Sequence, residues 1–223
     1  MTDAQVRSYV PVVLLAMTAG AVDAVSFLGL GGVFSSVMTA NLVLLGLSAA
    51  EHSGELAVHA ASSFAGYLAG ALAASRLAGK EGPPKRTTMA LAGEFVVLAG
   101  FTVGWETSGG HPHGWAQLLL LATAALAMGA QSATVIAFKL PGVSTTYMTG
   151  MLTGVLGDLA TPARHEVRLR LTLLAMLIAG AVASGFAYTE EPRLAPLVIL
   201  TPIAFALTVK SLATARHQDS VQT

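Results

Sequence analysis

Long apolar segments separated by short polar stretches dominate this sequence. Six of them are long enough for a membrane-spanning helix, which needs about 20 predominantly apolar residues. None alternates apolar with polar residues, as the strands of a membrane barrel would. The pattern therefore predicts an all-α integral membrane protein with six transmembrane helices and two shorter helices. The eight segments lie at 10–30, 34–50, 56–78, 87–105, 115–138, 143–157, 169–188 and 194–212.

Composition agrees with a membrane location. Of the 223 residues, 54% are hydrophobic and 11% are charged, whereas an ordinary soluble domain is about 25% charged. Lys and Arg together number 12, as do Asp and Glu, so the net charge is zero and gives no sign of a nucleic-acid partner. The chain has no cysteine, which excludes disulfides and thiolate metal sites. No metal, cofactor or enzymatic activity is expected, because no cluster of nucleophile, base and acid stands at useful spacing.

Two parts of the chain repeat each other, which indicates two copies of one membrane unit. We assign the first repeat to 1–106 and the second to 107–223, within one membrane domain. Because each copy crosses the bilayer an odd number of times, the two must lie in opposite orientations, as in many transporters and channels. The matching stretches are 20–24 with 129–133, and 34–46 with 143–155.

Basic residues indicate whether the two short segments cross the membrane, because Lys and Arg concentrate on the cytoplasmic side. If 143–157 crossed, Arg164, Arg168 and Arg170 would lie outside. If both short segments enter and leave on one side, every basic residue except Arg193 is cytoplasmic, and so are both termini. We therefore predict two re-entrant or broken helices within inverted-topology repeats. The alternative is eight tilted spans in a parallel repeat.

Hydroxyl-bearing residues stand at the start of both short helices, where they suit helix N-caps. Non-helical backbone at membrane depth must be buried in protein or line a wet cavity, so we expect the two segments to meet near the midplane. Two helix N-termini there would favour an anion or a polar solute. The alternative is that these hydroxyls only satisfy backbone groups and pack helices. The candidate substrate-binding residues are Ser35, Ser36, Thr39 and Asn41, and Ser144, Thr145, Thr146 and Thr149.

Two carboxylates lie inside apolar segments, Asp23 in the first and Glu94 in the fourth. A charged Asp at the bilayer centre costs at least about 2.5–3.5 kcal/mol, so both are expected to face the protein interior. A carboxyl that alternates between neutral and charged forms can carry protons, so both are candidates for proton coupling. The alternative is a structural acid bonded to a neighbouring helix. Asp23 also joins the substrate site, with Gln131 and Ser132 at the corresponding place in the second repeat.

Four stretches of the chain, at 20–24, 34–46, 128–133 and 144–150, carry a family resemblance. They resemble the YoaK family of bacterial membrane proteins, and the similarity covers nearly the whole chain. The resemblance implies a protein of the bacterial inner membrane with about six helices, and it gives no substrate or reaction to carry over. Members of that family commonly have Gly before the Asn of the first motif, where this chain has Ala40.

Together these features favour a membrane transporter or channel for a small anionic or polar solute, with the lipid bilayer as its surroundings. The alternative is an accessory or assembly protein that moves no solute. Small-residue faces, Gly66 with Gly70 and Gly180 with Ser184, suit close helix packing. Such faces could join helices within one chain or between the copies of a homo-oligomer.

Overall fold

The computed structural model describes residues 3–78, 84–138, 145, 148–160 and 167–222. These residues form eight α-helices and one 3-10 turn, with no strand among them. Six of the helices are long and apolar enough to cross a membrane. The prediction of an all-α membrane protein with six spans is confirmed. The helices are α1 (Asp3–Gly29), α2 (Met38–Ala50), α3 (Gly54–Ala78), α4 (Pro84–Thr107), α5 (Gly114–Ala137), α6 (Met148–Ala160), α7 (Val167–Glu190) and α8 (Ala195–Gln222).

The last turns of α1, α4 and α7 lie together at one end of the bundle. Trp105 of α4 is fully buried there and donates from Nε1 to the Pro192 carbonyl at 2.8 Å, beside the start of α8. The Tyr188 hydroxyl of α7 donates to the Leu28 carbonyl of α1 at 3.2 Å. We call this the Trp105 end. Because α1, α4 and α7 finish there while α8 begins there, α8 runs antiparallel to the other three.

The helices α3 and α5 also begin at the Trp105 end. Gln117, in the first turn of α5, donates from Nε2 to the Gly29 carbonyl at 3.2 Å, and its Oε1 lies 3.3 Å from Nε2 of His59 on α3. Thr88 and Thr214, whose hydroxyls are 3.1 Å apart, mark the opposite end, the Thr88 end. The six long helices therefore alternate in direction along the chain.

The two short helices do not add a crossing. The helix α1 finishes at the Trp105 end and α3 begins there, so the chain between them, which contains α2, returns to the end that it left. In the same way α5 runs away from the Trp105 end and α7 runs back to it, so α6 lies in a segment that leaves and rejoins the Thr88 end. This geometry agrees with six spans and two re-entrant helices.

Glycines bring helices of the first half into close contact with helices of the second half. A Cβ on any of five glycines would overlap a backbone carbonyl of the neighbouring helix, so only Gly allows these approaches. The helix α1 packs on α7 in this way, and α3 packs on α5. The contacts correspond between the halves, and they make the small-residue faces internal to one chain. The contacts that correspond are Gly20 with Leu177, Gly180 with Met17, Gly129 with Tyr67 and Gly70 with Leu126, and Gly66 with Ala122 is a fifth.

The remaining packing follows the same correspondence. The helix α1 also packs on α8, as α5 does on α4, and α2 packs on α3, as α6 does on α7. The fully buried side chains Leu15, Leu121 and Met128 lie where α1 and α5 form the middle of the bundle. The short helices thus lie on the outside of the third helix of their own half, and many of their apolar side chains are exposed.

Candidate functional site

Asp23, near the C-terminal end of α1, holds the first re-entrant segment by its backbone. Its Oδ1 accepts hydrogen bonds from the backbone N–H groups of Ser35 at 2.9 Å and Ser36 at 2.8 Å. Its Oδ2 accepts the Ser36 hydroxyl at 2.5 Å. The hydroxyls of Ser26 and Ser35 lie 2.6 Å apart, so one donates to the other. These four residues form the Asp23 cluster, which ties an irregular segment to a spanning helix.

Asn41 fixes the same segment from the other side. Its Oδ1 accepts the Phe34 N–H at 3.0 Å, and its Nδ2 donates to the Phe34 carbonyl at 2.5 Å. Nδ2 also donates to the Ser63 hydroxyl of α3 at 3.0 Å, and that hydroxyl donates to the Phe34 carbonyl at 2.6 Å. Both backbone groups of Phe34 are therefore paired inside the protein, as buried polar groups require.

The serines do not cap the short helix, and this corrects the sequence-based expectation. The residue before α2 is Val37, and it makes no side-chain capping bond. Ser35 and Ser36 lie earlier and donate to Asp23 instead of accepting from the helix. Because Asp23 and Asn41 already accept the N–H groups of residues 34–36, these residues do not need a helical turn to satisfy them. The helix consequently begins at Met38.

The electrostatics of the first segment follow from this arrangement. Asp23 is 8% exposed and accepts three hydrogen bonds, the charge-assisted kind that is stronger than a neutral pair. No Lys, Arg or His of the described chain forms an ion pair with it. The donors that were expected to face a solute thus face the protein's own carboxylate. An anionic solute would be repelled here while Asp23 is charged.

The second half has no acid at the equivalent place, and the neighbouring amide of Gln131 makes the buried polar contacts there. Gln131 is fully buried on α5, and its Nε2 donates to the Thr145 hydroxyl and to the Leu15 carbonyl of α1, both at 3.1 Å. Its Oε1 has no hydrogen-bond partner among the described residues. Ser132 takes the position that Asp23 has in the first half. The two halves therefore differ in charge at equivalent places.

Several candidate residues lie apart from these contacts. Thr39 and Thr149 are exposed on α2 and α6 and belong to neither polar network. Ser144 and Thr146 lie outside the described residues. Within the described part of the chain α2 and α6 do not pack together, because α1 and α5 lie between them. The expectation that the two segments meet near the midplane stays a prediction, since residues 139–144 and 146–147 of the second segment lie outside the described residues.

The contacts on α1 give a measure of this separation. Asp23 binds the first segment and Leu15 binds the Gln131 side chain that holds Thr145. At 1.5 Å per helical residue, these two positions on α1 are about 12 Å apart. The helix α1 therefore contacts the polar groups of both halves, at different depths.

Glu94 is a second buried acid with different surroundings. It is 1% exposed on α4, and neither carboxyl oxygen has a hydrogen-bond partner among the described residues. It shares a buried helix face with Leu91 and Leu98, and α4 packs on α5 and α8. A charged carboxylate without donors is costly in such a place. Glu94 is thus separate from the Asp23 cluster, and it accepts none of the hydrogen bonds that surround Asp23.

Comparison with known proteins identifies the family. Residues 12–210 match the family described as Protein of unknown function (DUF1275). The chain belongs to this family. It is 29% identical over 204 residues to the UPF0700 transmembrane protein YoaK of Bacillus subtilis (strain 168), which covers 85% of this chain and 87% of that one. The resemblance to YoaK is confirmed, and no solved structure matches.

Two residues of this DUF1275 protein that complete the polar networks were missed by the sequence reasoning. Ser26 lies one turn after Asp23 on α1 and reaches Ser35. Ser63 lies on α3 and binds Asn41 and Phe34. The spacing of Asp23 and Ser26 placed both on one helix face and could have indicated the first. Nothing in the sequence distinguishes Ser63 from the other serines of its helix.

Proposed function

We propose that this DUF1275 protein is a transporter or channel for a small polar solute in the bacterial inner membrane, with both termini in the cytoplasm. The observation that carries the proposal is the Asp23 cluster, whose polar groups hold an irregular segment within a bundle of apolar helices. Irregular backbone at membrane depth is typical of the broken helices of transporters. We assign no catalytic role to any residue.

Inverted repeats at 1–106 and 107–223 form part of the proposal. The correspondence of helix contacts supports them, since α1 packs on α7 as α5 packs on α3. The alternating directions of the long helices support them as well, because α5 begins where α1 ends. In transporters with such repeats, one half moves against the other around a central site. The polar groups on α1 and α5 are our candidates for that site.

Protonation of Asp23 is the proposed coupling step. A proton on the carboxylate removes its charge and weakens the three hydrogen bonds that it accepts. The N–H groups of Ser35 and Ser36 then become free to bind acceptor atoms of a solute. On the second half, the unpaired Oε1 of Gln131 is available to accept a hydrogen bond. Glu94 is our second candidate for proton exchange.

Solute flux into proteoliposomes tests this function. The full chain is reconstituted, and uptake of labelled sulfate, phosphate, alanine and sorbitol is measured with and without a pH gradient. We expect the gradient to stimulate uptake of at least one neutral solute, and Asp23→Asn to reduce the stimulated rate by about tenfold or more, or ~1.4 kcal/mol. The control is Glu190→Gln, an exposed acid at the end of α7, which should behave as the native chain.

An accessory or assembly protein is the second candidate, and the saturation of Asp23 with internal hydrogen bonds favours it. In that case Asp23 is a structural acceptor that holds the first segment in place. Uptake of every solute would then equal that of protein-free vesicles. Asp23→Asn would lower thermal stability without any change in flux.

A further inference from the structure

A cleft of about 420 Å³ lies between α1, α7 and the first re-entrant segment. Its walls are apolar, with Leu177, Ala181 and Gly185 on the α7 side. Phe27, on the α1 side, is 48% exposed, so the cleft opens on the outer surface of the bundle. In a membrane that surface faces lipid. A molecule with an apolar body could therefore enter the cleft sideways from the bilayer.

Asp23 is the only charged residue among those described that line this cleft. Its three hydrogen-bond donors are neutral groups, which orient dipoles toward the carboxylate but leave its net charge in place. No cationic side chain of the described chain pairs with it. A charge buried in an apolar environment is normally paired. The cleft thus contains a negative group that lacks a partner of opposite charge.

Two aromatic rings stand beside this carboxylate. Phe27 and Phe34 both line the cleft, and their rings are stacked with centroids 5.2 Å apart and an interplanar angle of 24°. The face of an aromatic ring carries negative potential and attracts cations, most of all cations that lack a tight hydration shell. The aromatic rings and the carboxylate favour the same sign of ligand charge.

We propose that the cleft binds an organic cation with an apolar body, such as a quaternary ammonium or phosphonium ion, with Asp23 as its counter-charge. A primary ammonium suits the site less well, because it brings three donors and the Asp23 oxygens already accept three hydrogen bonds. A lipid acyl chain would fill the apolar walls but leave the carboxylate uncompensated. A quaternary cation requires no hydrogen bond. Its apolar body contacts the walls of the cleft, and its positive charge balances the charge of Asp23.

This inference goes beyond the proposed transport and does not depend on it. Binding is measured at equilibrium on the purified full-length chain in neutral detergent micelles, where no flux takes place. The probes are tetraphenylphosphonium and tetraphenylborate, which have the same shape and opposite charge. We expect saturable binding of the phosphonium by equilibrium dialysis and at least about tenfold weaker binding of the borate. Equal binding of the two ions would overturn the proposal and leave apolar partitioning only.

Variants test whether the cation occupies this cleft. Asp23→Asn removes the charge, while the amide oxygen can still accept the N–H groups of Ser35 and Ser36. Gly185→Leu fills the cleft at a position where a Cβ meets no atom within 4 Å, and Gly100→Leu is its match on α4, also without a neighbour within 4 Å. We expect the first two to reduce phosphonium affinity about tenfold or more, and Gly100→Leu to leave it unchanged.

A second pair of variants tests the aromatic residues that line the cleft. Phe27→Leu keeps the apolar surface but removes the ring, and Phe205→Leu makes the same change at an exposed position on α8. Phe27→Leu should weaken phosphonium binding several-fold, and Phe205→Leu should have no effect. Phosphonium binding that survives both Asp23→Asn and Gly185→Leu in well-folded protein contradicts the proposal. Loss of binding without any change in solute flux separates this result from the transport proposal.

Discussion

At the scale of single residues, the Asn41 side chain supplies the hydrogen bonds that a regular helix would give to the backbone of the irregular segment. Phe34 has no helical partner, yet its N–H and carbonyl both bind the Asn41 side chain. The amide of Asn41 is 1% exposed and also binds Ser63 of α3. One buried side chain therefore connects the segment, α2 and α3.

Asn41→Leu removes these bonds and should destabilise the fold. The Phe34 N–H loses its acceptor, and a buried donor left unpaired costs about 1–3 kcal/mol. We expect the midpoint of thermal unfolding in detergent to fall by several degrees. The matched control is Thr201→Val, whose exposed hydroxyl only bonds a carbonyl of its own helix. A midpoint equal to that of the native chain would show that the Asn41 contacts do not stabilise the protein.

At the scale of helices, the two short elements are attached by different chemistry. The helix α2 is anchored through Asn41 and Ser63. The helix α6 is anchored to α7 by a salt bridge between Arg170 and Asp158 at 2.9 Å, with both side chains partly buried. Gly154 of α6 lies beside the guanidinium, where a Cβ would touch Arg170. An ionic contact thus holds the second short helix near the Thr88 end.

Asp158→Asn should loosen α6. The chain has no cysteine, so Val155→Cys, at a position that is 2% exposed, gives a single reporter on the buried face of that helix. If the salt bridge contributes ~1 kcal/mol, its loss raises the open population about fivefold, and maleimide labelling accelerates to the same extent. The same reporter with Glu191→Gln should label at the original rate. An unchanged rate with Asp158→Asn would mean that packing alone holds α6.

The apolar pattern predicts long helices better than short ones. The predicted segment 169–188 falls within α7 (Val167–Glu190), because a span only needs enough apolar length. The segment predicted from residue 34 begins instead at Met38, since Asp23 and Asn41 bind the residues before it. The start of a re-entrant helix depends on side chains distant in sequence, and a local pattern does not contain them.

The candidate site was also predictable only in part. An acid in an apolar helix is costly unless it is buried against donors, so Asp23 with Ser35 and Ser36 could be selected from the sequence. The predicted direction of the hydrogen bonds was wrong, because Ser35 and Ser36 donate to Asp23 and do not accept from the N–H groups of α2. The contact of Gln131 with the Leu15 carbonyl requires the packing of α5 on α1, which no spacing along the chain encodes.

At the scale of the whole molecule, the six long helices alternate between the two ends, and each short helix lies in a segment that returns to the end it left. The turn after α2 and the loop before α5 therefore share the Trp105 end. The starts of α4 and α7 share the Thr88 end. This arrangement makes the side of each loop measurable in cells.

Single cysteines test that arrangement without interference, because the native chain has none. Glu51→Cys and His111→Cys should react with a membrane-impermeant maleimide from the same face. Lys85→Cys and Arg168→Cys should react only from the other face. All four positions are exposed, so access depends on sidedness alone. Labelling of residue 168 from the same face as residue 111 would mean that α6 crosses the membrane, since α5 and α6 lie between these two positions.

The glycine contacts also limit how such a chain could have arisen. Gly20 of α1 meets α7 and Gly129 of α5 meets α3, so each half supplies the partner that the other half needs. A solitary four-helix ancestor would have left both surfaces bare in lipid. Two identical copies in opposite orientations, which the proposed inverted repeats imply, would have covered them. Gene fusion would then have joined two copies that already needed each other to cover these surfaces.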